Sequence, residues 1–460
     1  MWKPTQEQRF LIRQFSTRLK AGNAAIFVGA GLSVPSGLVA WQELLREPAE
    51  TLGLDVDREV YDLPLLAQYF VNRRHGNDAL LIDYIKQRLI KPSKLTLSHE
   101  ILTSLPVRSF WTTNYDCLIE DALECQGRSY QVRVCDDSFA HPIDADVIVN
   151  KLHGTIDRGG HRNLIITRQD YEEYAARYPR MWHEFRNNIV SKSFLFVGFG
   201  FSDPNVRFAF SQTRSSGTGE TSSHLNITKT PIELPAYEQQ KFSLWREELS
   251  RIGVESILVT DYSEVPQVLH ALELCVSRSR VFVAGSHKDD TLSDFLEPLG
   301  AELLAAGFCI VSGAGTNGGE IIIRGAIKGV ANCPIPGETP IEMYPFWSRT
   351  ETGATVELLD ERKTTIRKRI IRTCSLCIFI SGRDGTYEEY SIARAFRRLV
   401  VPIGFTGGTA RRIANELLKD EASLRDDIIR IIKDYLDAPP DLSQAAKDIA
   451  LRLKEVAGRL

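Results

Sequence analysis

Short apolar runs of strand length alternate with helical patterns along most of the chain. This alternation is typical of α/β domains built on parallel sheets. The runs form two series. The first lies within residues 24–28, 109–112, 146–152, 193–197 and 255–259, and the second within residues 280–284, 308–312, 376–380 and 399–403. The pattern therefore predicts two α/β domains, which we place at residues 1–276 and 277–460.

Each run of the second series ends in, or is followed by, glycine or serine, and glycine also follows the first run of the chain. In doubly wound sheets, ligands bind at this carboxyl edge of the strands. We therefore predict two Rossmann-like parallel-sheet domains, each with a ligand site at that edge.

Three other segments carry their own patterns. Residues 41–105 show helical periodicity and predict a helical insertion over the first sheet. Residues 211–231 are rich in serine, threonine and glycine, so we predict a mobile surface loop there. Residues 409–460 place apolar side chains near helical spacing. They predict a helical tail that packs on the second domain or on a neighbouring subunit.

The composition excludes several classes of protein. The 56 basic and 59 acidic residues leave a formal net charge of -3, which does not attract polyanions, so we predict no nucleic-acid partner. No apolar run approaches the length of a membrane-spanning helix, and the first residues lack the apolar core of a secretory signal. We predict a cytoplasmic protein that does not bind a membrane.

The eight cysteines are scattered, and only Cys374 and Cys377 form a C-x-x-C pair. These two cysteines flank an apolar run that predicts a buried strand. A structural zinc needs about four N or S ligands, and no second pair completes such a set. We therefore predict reduced thiols and no metal site.

A glycine-rich turn, Gly29-Ala30-Gly31-Leu32-Ser33, directly follows the first apolar run. Its backbone N–H groups can approach a pyrophosphate, although small residues after a strand also serve packing alone. Three later runs end in the polar motifs Thr112-Thr113-Asn114-Tyr115-Asp116, Lys151-Leu152-His153-Gly154 and Gly198-Phe199-Gly200-Phe201-Ser202-Asp203-Pro204. We expect the four strand ends to converge on one crevice, with Asp203 as a helix N-cap.

This order of motifs resembles the sirtuin-like catalytic domain over roughly residues 10–275. The resemblance implies that NAD+ binds in the crevice. It places Asn114 and Asp116 by the nicotinamide ribose and carboxamide and His153 at the ribose hydroxyls, and these three are the predicted catalytic residues. The predicted cofactor-binding residues are Gly29, Ala30, Gly31 and Ser33 at the phosphates, together with Gly198, Ser202 and Asp203.

Two features of the sirtuin protein deacylases are missing from the chain. It has no four-cysteine zinc module, and Ser36-Gly37-Leu38-Val39-Ala40-Trp41 stands where the deacylases carry Pro-Asp-Phe-Arg. Because the zinc module shapes the acyl-lysine groove, simple hydrolysis of NAD+ is the leading hypothesis. Protein deacylation and a non-enzymatic nucleotide-binding role are the alternatives.

The chemistry of NAD+ hydrolysis defines what these residues must do. Nicotinamide is already a cationic leaving group, so cleavage of its bond to ribose C1′ needs no general acid. The transition state resembles an oxocarbenium ion, and the protein must orient reactants, stabilise charge and position water. Asn114 is predicted to orient the water, Asp116 to bind the carboxamide or stabilise charge, and His153 to accept a proton.

A second set of motifs lies in the C-terminal series. It contains Gly285-Ser286, Gly313-Ala314-Gly315, an Arg367-Lys368 pair and Gly382-Arg383-Asp384-Gly385-Thr386 followed by Glu388-Glu389. The set resembles the SLOG superfamily over about residues 278–415. Arg383 replaces a glycine of the related phosphoribohydrolases, which favours sensing of a nucleotide over turnover. The predicted ligand-binding residues are Gly285, Ser286, Gly313, Gly315, Arg367, Arg383 and Glu389.

A sirtuin-like domain followed by a SLOG domain is similar to the NADase effectors of Thoeris anti-phage systems. The resemblance implies depletion of NAD+ on infection, switched on by a cyclic ADP-ribose isomer that a TIR-domain partner enzyme makes. The isomer would bind the SLOG domain. We also predict a homo-oligomer, a tetramer or larger, because identical subunits that switch together sharpen the response.

Overall fold

The computed structural model describes residues 2–459 apart from residues 60–61, 91–92, 141, 158–159, 216–222, 331–340 and 345–355. Its contacts divide the chain into two compact units, Met1–Glu273 and Leu274–Leu460. This division and the predicted boundary after residue 276 both fall within one helix, Val265–Ser277.

The first unit is built on a parallel sheet. Its described strands are β1 (Ala24–Val28), β2 (Ser109–Thr112), β3 (Tyr130–Arg133), β4 (Val147–Lys151), β5 (Thr155–Asp157), β6 (Gly160–Arg162), β7 (Ser193–Val197), β8 (His224–Lys229) and β9 (Val254–Val259). Seven of them form one sheet in the order β3-β4-β2-β1-β7-β8-β9, and every neighbouring pair is parallel. Strands β5 and β6 form a separate antiparallel pair.

Strand β1 lies at the centre of this sheet. Ile26 in β1 pairs with Phe110 of β2 on one side and with Leu195 of β7 on the other. Every residue of β1, β2 and β7 is buried. Burial on both faces explains why these strands are continuous apolar runs in the sequence. The central position of β1 brings the turn that follows it to the middle of the carboxyl edge.

Helices cover the first sheet. They are α1 (Gln6–Lys20), α2 (Ala30–Ser33), α3 (Trp41–Leu44), α4 (Arg46–Thr51), α5 (Leu63–Asn72), α6 (Ala79–Leu89), α7 (Leu97–Ser104), α8 (Leu118–Cys125), α9 (Arg168–Arg177), α10 (Pro179–Ser191), α11 (Pro204–Ser215), α12 (Ala236–Arg251) and α13 (Val265–Ser277). The predicted helical insertion is confirmed, since α3 to α7 fall within residues 41–105. Residues of α3 to α6 form a hydrophobic cluster of their own with Tyr115, Ile156 and Ile166.

The prediction of a surface loop over residues 211–231 is wrong for much of that segment. Residues 211–215 end α11, and β8 is a buried strand between β7 and β9. Because β8 carries polar side chains, its composition indicated a loop and not a buried strand. His224 is buried, and its Nδ1 accepts a hydrogen bond from the Phe194 amide at 3.1 Å. Residues 216–222 lie outside the described part of the chain.

The second unit repeats the parallel architecture on a smaller scale. Its described strands are β10 (Arg280–Ala284), β11 (Cys309–Ser312), β12 (Ile341–Met343), β13 (Leu376–Ile380) and β14 (Leu399–Ile403), in the order β12-β11-β10-β13-β14. All neighbouring pairs are parallel. Two parallel-sheet α/β units confirm the predicted fold class. Short strands β3 and β12 were not predicted.

The helices of the second unit include the C-terminal tail. They are α14 (Ser293–Ala305), α15 (Gly319–Gly329), α16 (Val356–Arg372), α17 (Asp384–Ala395), α18 (Gly408–Leu417), α19 (Asp426–Asp434) and α20 (Leu442–Gly458). Ile413, Ile432 and Leu453 of the tail join the hydrophobic core around the five-stranded sheet. Of the two predicted packings of the tail, the structure shows the one on the second unit. Across the described residues, every helix is too short or too polar to cross a membrane.

Candidate active site

A large cavity opens at the carboxyl edge of the seven-stranded sheet. Its volume of about 1330 Å³ exceeds the roughly 300–1,000 Å³ that is common for small-molecule pockets. Among the residues that line it are the predicted site residues Ala30, Ser33, Asn114, Asp116, His153, Gly198, Ser202 and Asp203. The structure thus brings the four strand ends to one cavity.

The glycine-rich turn after β1 packs against the loop after β7. The amides of Gly29 and Gly31 donate to the carbonyls of Val197 and Gly198, each at 2.9 Å. A Cβ on Gly31 would lie 2.9 Å from Gly198 Cα, and Gly198 has a φ of +67°. These glycines therefore allow two backbones to meet. The two amides that were expected at the phosphates already donate to carbonyls, and Gly29 and Gly31 lie outside the cavity lining.

Three side chains of the cavity wall form a hydrogen-bonded chain. Asn114 Nδ2 donates to Ser33 Oγ at 3.0 Å, and Ser33 Oγ donates to Asp116 Oδ2 at 2.9 Å. Ser33 and Asn114 are buried. Because its amide nitrogen is used within the chain, Asn114 has its carbonyl oxygen Oδ1 to offer to a substrate or a water molecule. Ser33, predicted at the phosphates, orients this amide.

The loop between β2 and α8 is held by a buried lysine. Lys151 Nζ lies 2.9 Å from Glu120 Oε1 and also donates to the backbone carbonyls of Tyr115 and Asp116. Burial lowers the pKa of Lys151, but Glu120, Cys117 and Asp116 raise it, and the net direction is upward. The lysine therefore keeps its charge. Lys151 belongs to a predicted motif, but its partners lie more than 30 residues earlier in the chain, so the local sequence did not predict them.

His153 is fixed by side chains from two other elements. Its Nε2 lies 3.1 Å from Asp203 Oδ2, and its Nδ1 lies 3.5 Å from the hydroxyl of Tyr171 in α9. The other oxygen of Asp203 accepts the Val206 amide at 2.9 Å, so Asp203 caps α11 as expected from the sequence. Tyr171 carries no sequence motif. Burial, with the charge of Asp203, raises the pKa of Tyr171 well above its usual value, so its hydroxyl stays neutral.

The rest of the cavity wall is strongly aromatic. Trp182 and Phe208 stack with their planes 14° apart and their centroids 6.1 Å apart. Trp41 and Tyr115 have centroids 5.9 Å apart. All four side chains, together with Trp245, line the cavity. Such faces suit the flat rings of a dinucleotide.

The carboxyl edge of the five-stranded sheet carries the second set of predicted residues. The strand ends place Gly285, Ser286, Gly313 and Gly315 at this edge. Gly382 N–H donates to Ser286 O at 2.9 Å, and a Cβ on Gly285 would lie 2.9 Å from the carbonyl carbon of Ile380. Here too, glycine lets the ends of neighbouring strands touch.

Charged side chains surround the N-terminus of α17 at the same edge. Arg367 forms ion pairs with Glu388 and with Glu389, whose Oε1 lies 3.4 Å from Arg367 Nε. Burial raises the pKa of Glu389 to about 7, although Arg367 acts in the opposite direction. Arg383 is the N-cap residue of α17 and is exposed. The structure therefore brings Arg367 and Glu389 together and leaves Arg383 open to solvent.

Among the described residues, no group of three or more His, Cys, Asp or Glu side chains is arranged so that it could hold a metal ion. Cys374 and Cys377 are both buried, Cys377 within β13. Burial raises the pKa of Cys374 to about 12, so this thiol stays protonated at neutral pH.

A parallel-sheet unit with this polar cavity, followed by a smaller parallel-sheet unit, is the arrangement expected of a SIR2-type domain joined to a SLOG-type domain. Comparison with protein families agrees with this class. Residues 108–255 match the SIR2-like domain, and residues 264–456 match the Sir2- and TIR-associating SLOG family.

Relatives match the chain over most of its length. It is 32% identical to the NAD(+) hydrolase ThsA of Bacillus cereus over 431 residues, which are 88% of each protein. It is 31% identical to the NAD(+) hydrolase ThsA of Enterococcus faecium, covering 92% of this chain and 93% of that one. Defense-associated sirtuin 2 of Bacillus subtilis is 26% identical over 44% of this chain and 20% of its own. The chain belongs to the ThsA family of NAD(+) hydrolases.

Proposed function

We propose that the chain cleaves NAD+ to nicotinamide and ADP-ribose in the cavity of the first unit, as an effector of abortive anti-phage defence. We also propose that a cyclic ADP-ribose isomer, bound by the second unit, switches this cleavage on. The observation that carries the catalytic part is the chain of hydrogen bonds from Asn114 through Ser33 to Asp116, in the same cavity as His153. Membership of a family of NAD(+) hydrolases supports it.

The reaction breaks the bond between ribose C1′ and nicotinamide. The electron pair of that bond leaves with nicotinamide, which departs as a neutral molecule, and water attacks the oxocarbenium-like C1′. The water loses one proton in this step. The protein must therefore place the water, accept its proton and stabilise the positive charge on the ribose.

The geometry distributes these tasks among the cavity residues. Asn114 is held through its Nδ2, so its Oδ1 can accept a hydrogen bond from the attacking water. Asp116 lines the cavity and supplies negative charge near the developing cation or binds the carboxamide. Aromatic side chains form part of the cavity wall, and their low polarity strengthens electrostatic effects beside them.

The catalytic proposal is tested with purified full-length chain and NAD+. Asn114→Ala should lower the rate of nicotinamide release by about 10²-fold or more, because a positioning group is lost. The matched control is Asn187→Ala, which removes an exposed amide from α10 and should keep the parent rate. Parent-like activity of Asn114→Ala would contradict the assignment. Formation of acyl-ADP-ribose from an acylated peptide, without free ADP-ribose from NAD+ alone, would favour deacylation.

Control of the enzyme must come from a change of state, because NAD+ is always present in a cell and constant hydrolysis would harm the host. A ligand shifts an equilibrium only by its different affinities for the two states. The guanidinium of Arg367 is paired with the carboxylates of Glu388 and Glu389. A nucleotide phosphate that binds there would compete with these carboxylates for the guanidinium. The exposed Arg383 offers a second guanidinium at the same helix terminus.

Activation is tested by adding cyclic ADP-ribose isomers one at a time to the full-length chain. We expect one isomer to bind by calorimetry and to raise NAD+ cleavage. Arg367→Ala and Arg383→Ala should remove that response and keep the unstimulated rate. The control is Arg369→Ala, an exposed arginine in the same helix as Arg367. Full activity of the parent without any isomer would contradict gating, and undiminished binding by both variants would contradict the site.

The proposal extends to partner, assembly and place of action. A TIR-domain enzyme would supply the isomer, and the chain would act in the cytoplasm as a homo-oligomer, a tetramer or larger. An assembly is favoured because several coupled subunits would sharpen the response to the isomer. Light scattering of the purified chain tests it, and a monomer at working concentration would contradict it.

A further inference from the structure

His153 is held by contacts that reach it from two elements other than its own. Its Nε2 lies 3.1 Å from Asp203 Oδ2, and both side chains are largely buried, with 5% and 8% exposed. His153 follows β4, whereas Asp203 stands between β7 and α11. Because water has little access to this pair, the carboxylate governs the orientation of the ring.

The contact also fixes which ring nitrogen carries the proton. An ionised carboxylate only accepts hydrogen bonds, so the nitrogen that faces it must be the donor. Nε2 of His153 is therefore protonated, and the lone pair of the neutral ring lies on Nδ1. The Tyr171 hydroxyl is 3.5 Å from Nδ1, which is long for a hydrogen bond, and the same hydroxyl also interacts with Asp203.

Asp203 is itself held at both oxygens. Oδ1 accepts the Val206 amide at 2.9 Å, as the N-cap of α11, while Oδ2 faces His153. The N-cap hydrogen bond fixes the carboxylate against the first turn of α11. The helix N-terminus also favours a negative charge at this position. Asp203 therefore has a fixed place from which to orient a neighbour.

We propose that Asp203 is a positioning residue for NAD+ cleavage, which holds the His153 ring with its proton on Nε2 and its lone pair on Nδ1. The inference rests on the proposed function, since it assigns a task within that reaction. It differs from the sequence prediction, in which Asp203 binds the cofactor.

The role in the reaction follows from this arrangement. Water attacks C1′ as the bond to nicotinamide breaks, and the electron pair leaves with neutral nicotinamide. The proton that the water releases passes to Nδ1 of His153. The resulting imidazolium faces the carboxylate of Asp203, whose negative charge stabilises it. Later loss of that proton to solvent restores the neutral ring.

Other ionisable groups surround this pair. The ionisable groups next to it are Tyr115, Tyr171, Tyr174 and Asp170. The cavity wall also carries the charged side chains Asp116, Arg168 and Arg207. Burial raises the pKa of each of the three tyrosines well above its usual value. The tyrosines therefore stay neutral at physiological pH, and a change of Asp203 acts mainly on His153.

The kinetic test is Asp203→Asn in the full-length chain. The Asn Oδ1 can still cap Val206, so its Nδ2 must face His153 and forces the lone pair onto Nε2. We expect kcat for NAD+ to fall by about 10²-fold or more while KM changes by less than about three-fold. A higher KM with unchanged kcat would instead support cofactor binding and overturn the inference.

The second test reads the ring directly and does not depend on turnover. Nitrogen-15 NMR of histidine-labelled chain distinguishes the two neutral tautomers, and His153→Gln identifies the His153 signal among nine histidines. We expect a proton on Nε2 in the parent and on Nδ1 in Asp203→Asn. A proton on Nδ1 in the parent would overturn the inference even if NAD+ is cleaved. Absence of NAD+ cleavage by the parent with each cyclic ADP-ribose isomer added in turn, together with the expected tautomer, would overturn the proposed function alone.

The control for both tests is Asp441→Asn. Asp441 caps α20 by accepting the Gln444 amide at 2.9 Å, so this variant makes the same chemical change at a helix N-terminus of the second unit. We expect its kcat, its KM and the His153 signal to match the parent. A kinetic change in Asp441→Asn equal to that in Asp203→Asn would show a general effect of cap replacement and would overturn the positioning role.

Discussion

The carboxyl edges of the two sheets each carry an ion pair, and the two pairs differ in exposure. At the first edge, the side chains of Lys151 and Glu120 are 0% and 7% exposed, whereas at the second edge those of Arg367 and Glu388 are 14% and 40% exposed. A buried pair cannot open without leaving an uncompensated charge, whereas the exposed Glu388 can be replaced by water or a ligand at little cost, because Arg367 keeps Glu389 as a second partner. The first edge is therefore a fixed frame for chemistry, and the second is suited to a ligand that replaces a carboxylate.

The largest expected effect comes from breaking the buried pair. Lys151→Met should lower the free energy of unfolding by about 3–5 kcal/mol, because Glu120 is left charged and the carbonyls of Tyr115 and Asp116 lose their donor. The measurement is urea unfolding followed by tryptophan fluorescence. Lys151→Met combined with Glu120→Leu should recover much of the loss, since no unpaired charge remains. Equal stability of the single and double variants would show that the charge of the pair is unimportant.

Ser33→Ala should produce the next largest effect, on turnover. Removal of the hydroxyl frees the Asn114 amide to rotate, so kcat for NAD+ should fall by about 10²-fold, which is roughly 2.7 kcal/mol of transition-state stabilisation. Ser191→Ala, which removes a serine hydroxyl bonded only to its own helix, is the matched control. If Ser33→Ala raised KM and left kcat intact, Ser33 would act in phosphate binding. The carboxyl edge of the first sheet would then not hold Asn114 in the fixed position proposed for it.

The pH dependence of stability tests the second edge. Burial raises the pKa of Glu389 to about 7 in the folded chain from a usual value of 4.5. The folded state therefore holds this proton more tightly, and the stability that it contributes is complete below about pH 4.5 and is lost as the pH rises to about 7. The slope is at most about 1.4 kcal/mol per pH unit. Glu389→Gln should remove this slope in urea unfolding measured across the same range, and an unchanged slope would mean that Glu389 is ionised when folded.

The smallest expected effect on stability is that of Glu388→Gln, about 0–1 kcal/mol, because this carboxylate is well exposed. We expect Glu388→Gln to change the affinity for the ligand more than it changes the stability of the fold. With one competitor for Arg367 removed, a cyclic ADP-ribose isomer that binds as proposed should bind several-fold more tightly in calorimetry. Glu421→Gln breaks an exposed pair with Lys433 elsewhere in the second unit and should leave affinity unchanged. Weaker binding by Glu388→Gln would show that Glu388 contacts the ligand itself.

The sequence was sufficient to predict the alternation of buried strands and helices, because parallel strands are apolar on both faces. It failed at β8, where His224, Asn226 and Thr228 are buried polar residues that composition assigns to a loop. Local spacing also placed Asn114 and His153 at strand ends that line the cavity.

Pairings between distant residues were beyond the reach of sequence patterns. The contact of His153 with Asp203 joins two strand ends 50 residues apart, and the ion pair of Lys151 with Glu120 joins a strand to a helix. Each residue belonged to a motif or a helical run, but its partner follows only from the order of strands in the sheet. For the same reason the sequence left open whether the glycines serve packing or phosphate binding, and the structure shows that Gly31 packs against Gly198.

The hydrogen bonds of the glycine turn after β1 also set the order in which the enzyme is completed on the ribosome. Gly29 donates to Val197, which emerges about 170 residues later. At ~5–20 residues per second, this delay is roughly 10–30 s. Late in that interval, after residue 153 has emerged, a nascent chain contains Asn114 and His153 but lacks β7 and Asp203, so its cavity has no closing wall. The cavity is therefore completed only when β7 and the residues after it have been made, although the glycine turn that packs against them is made early.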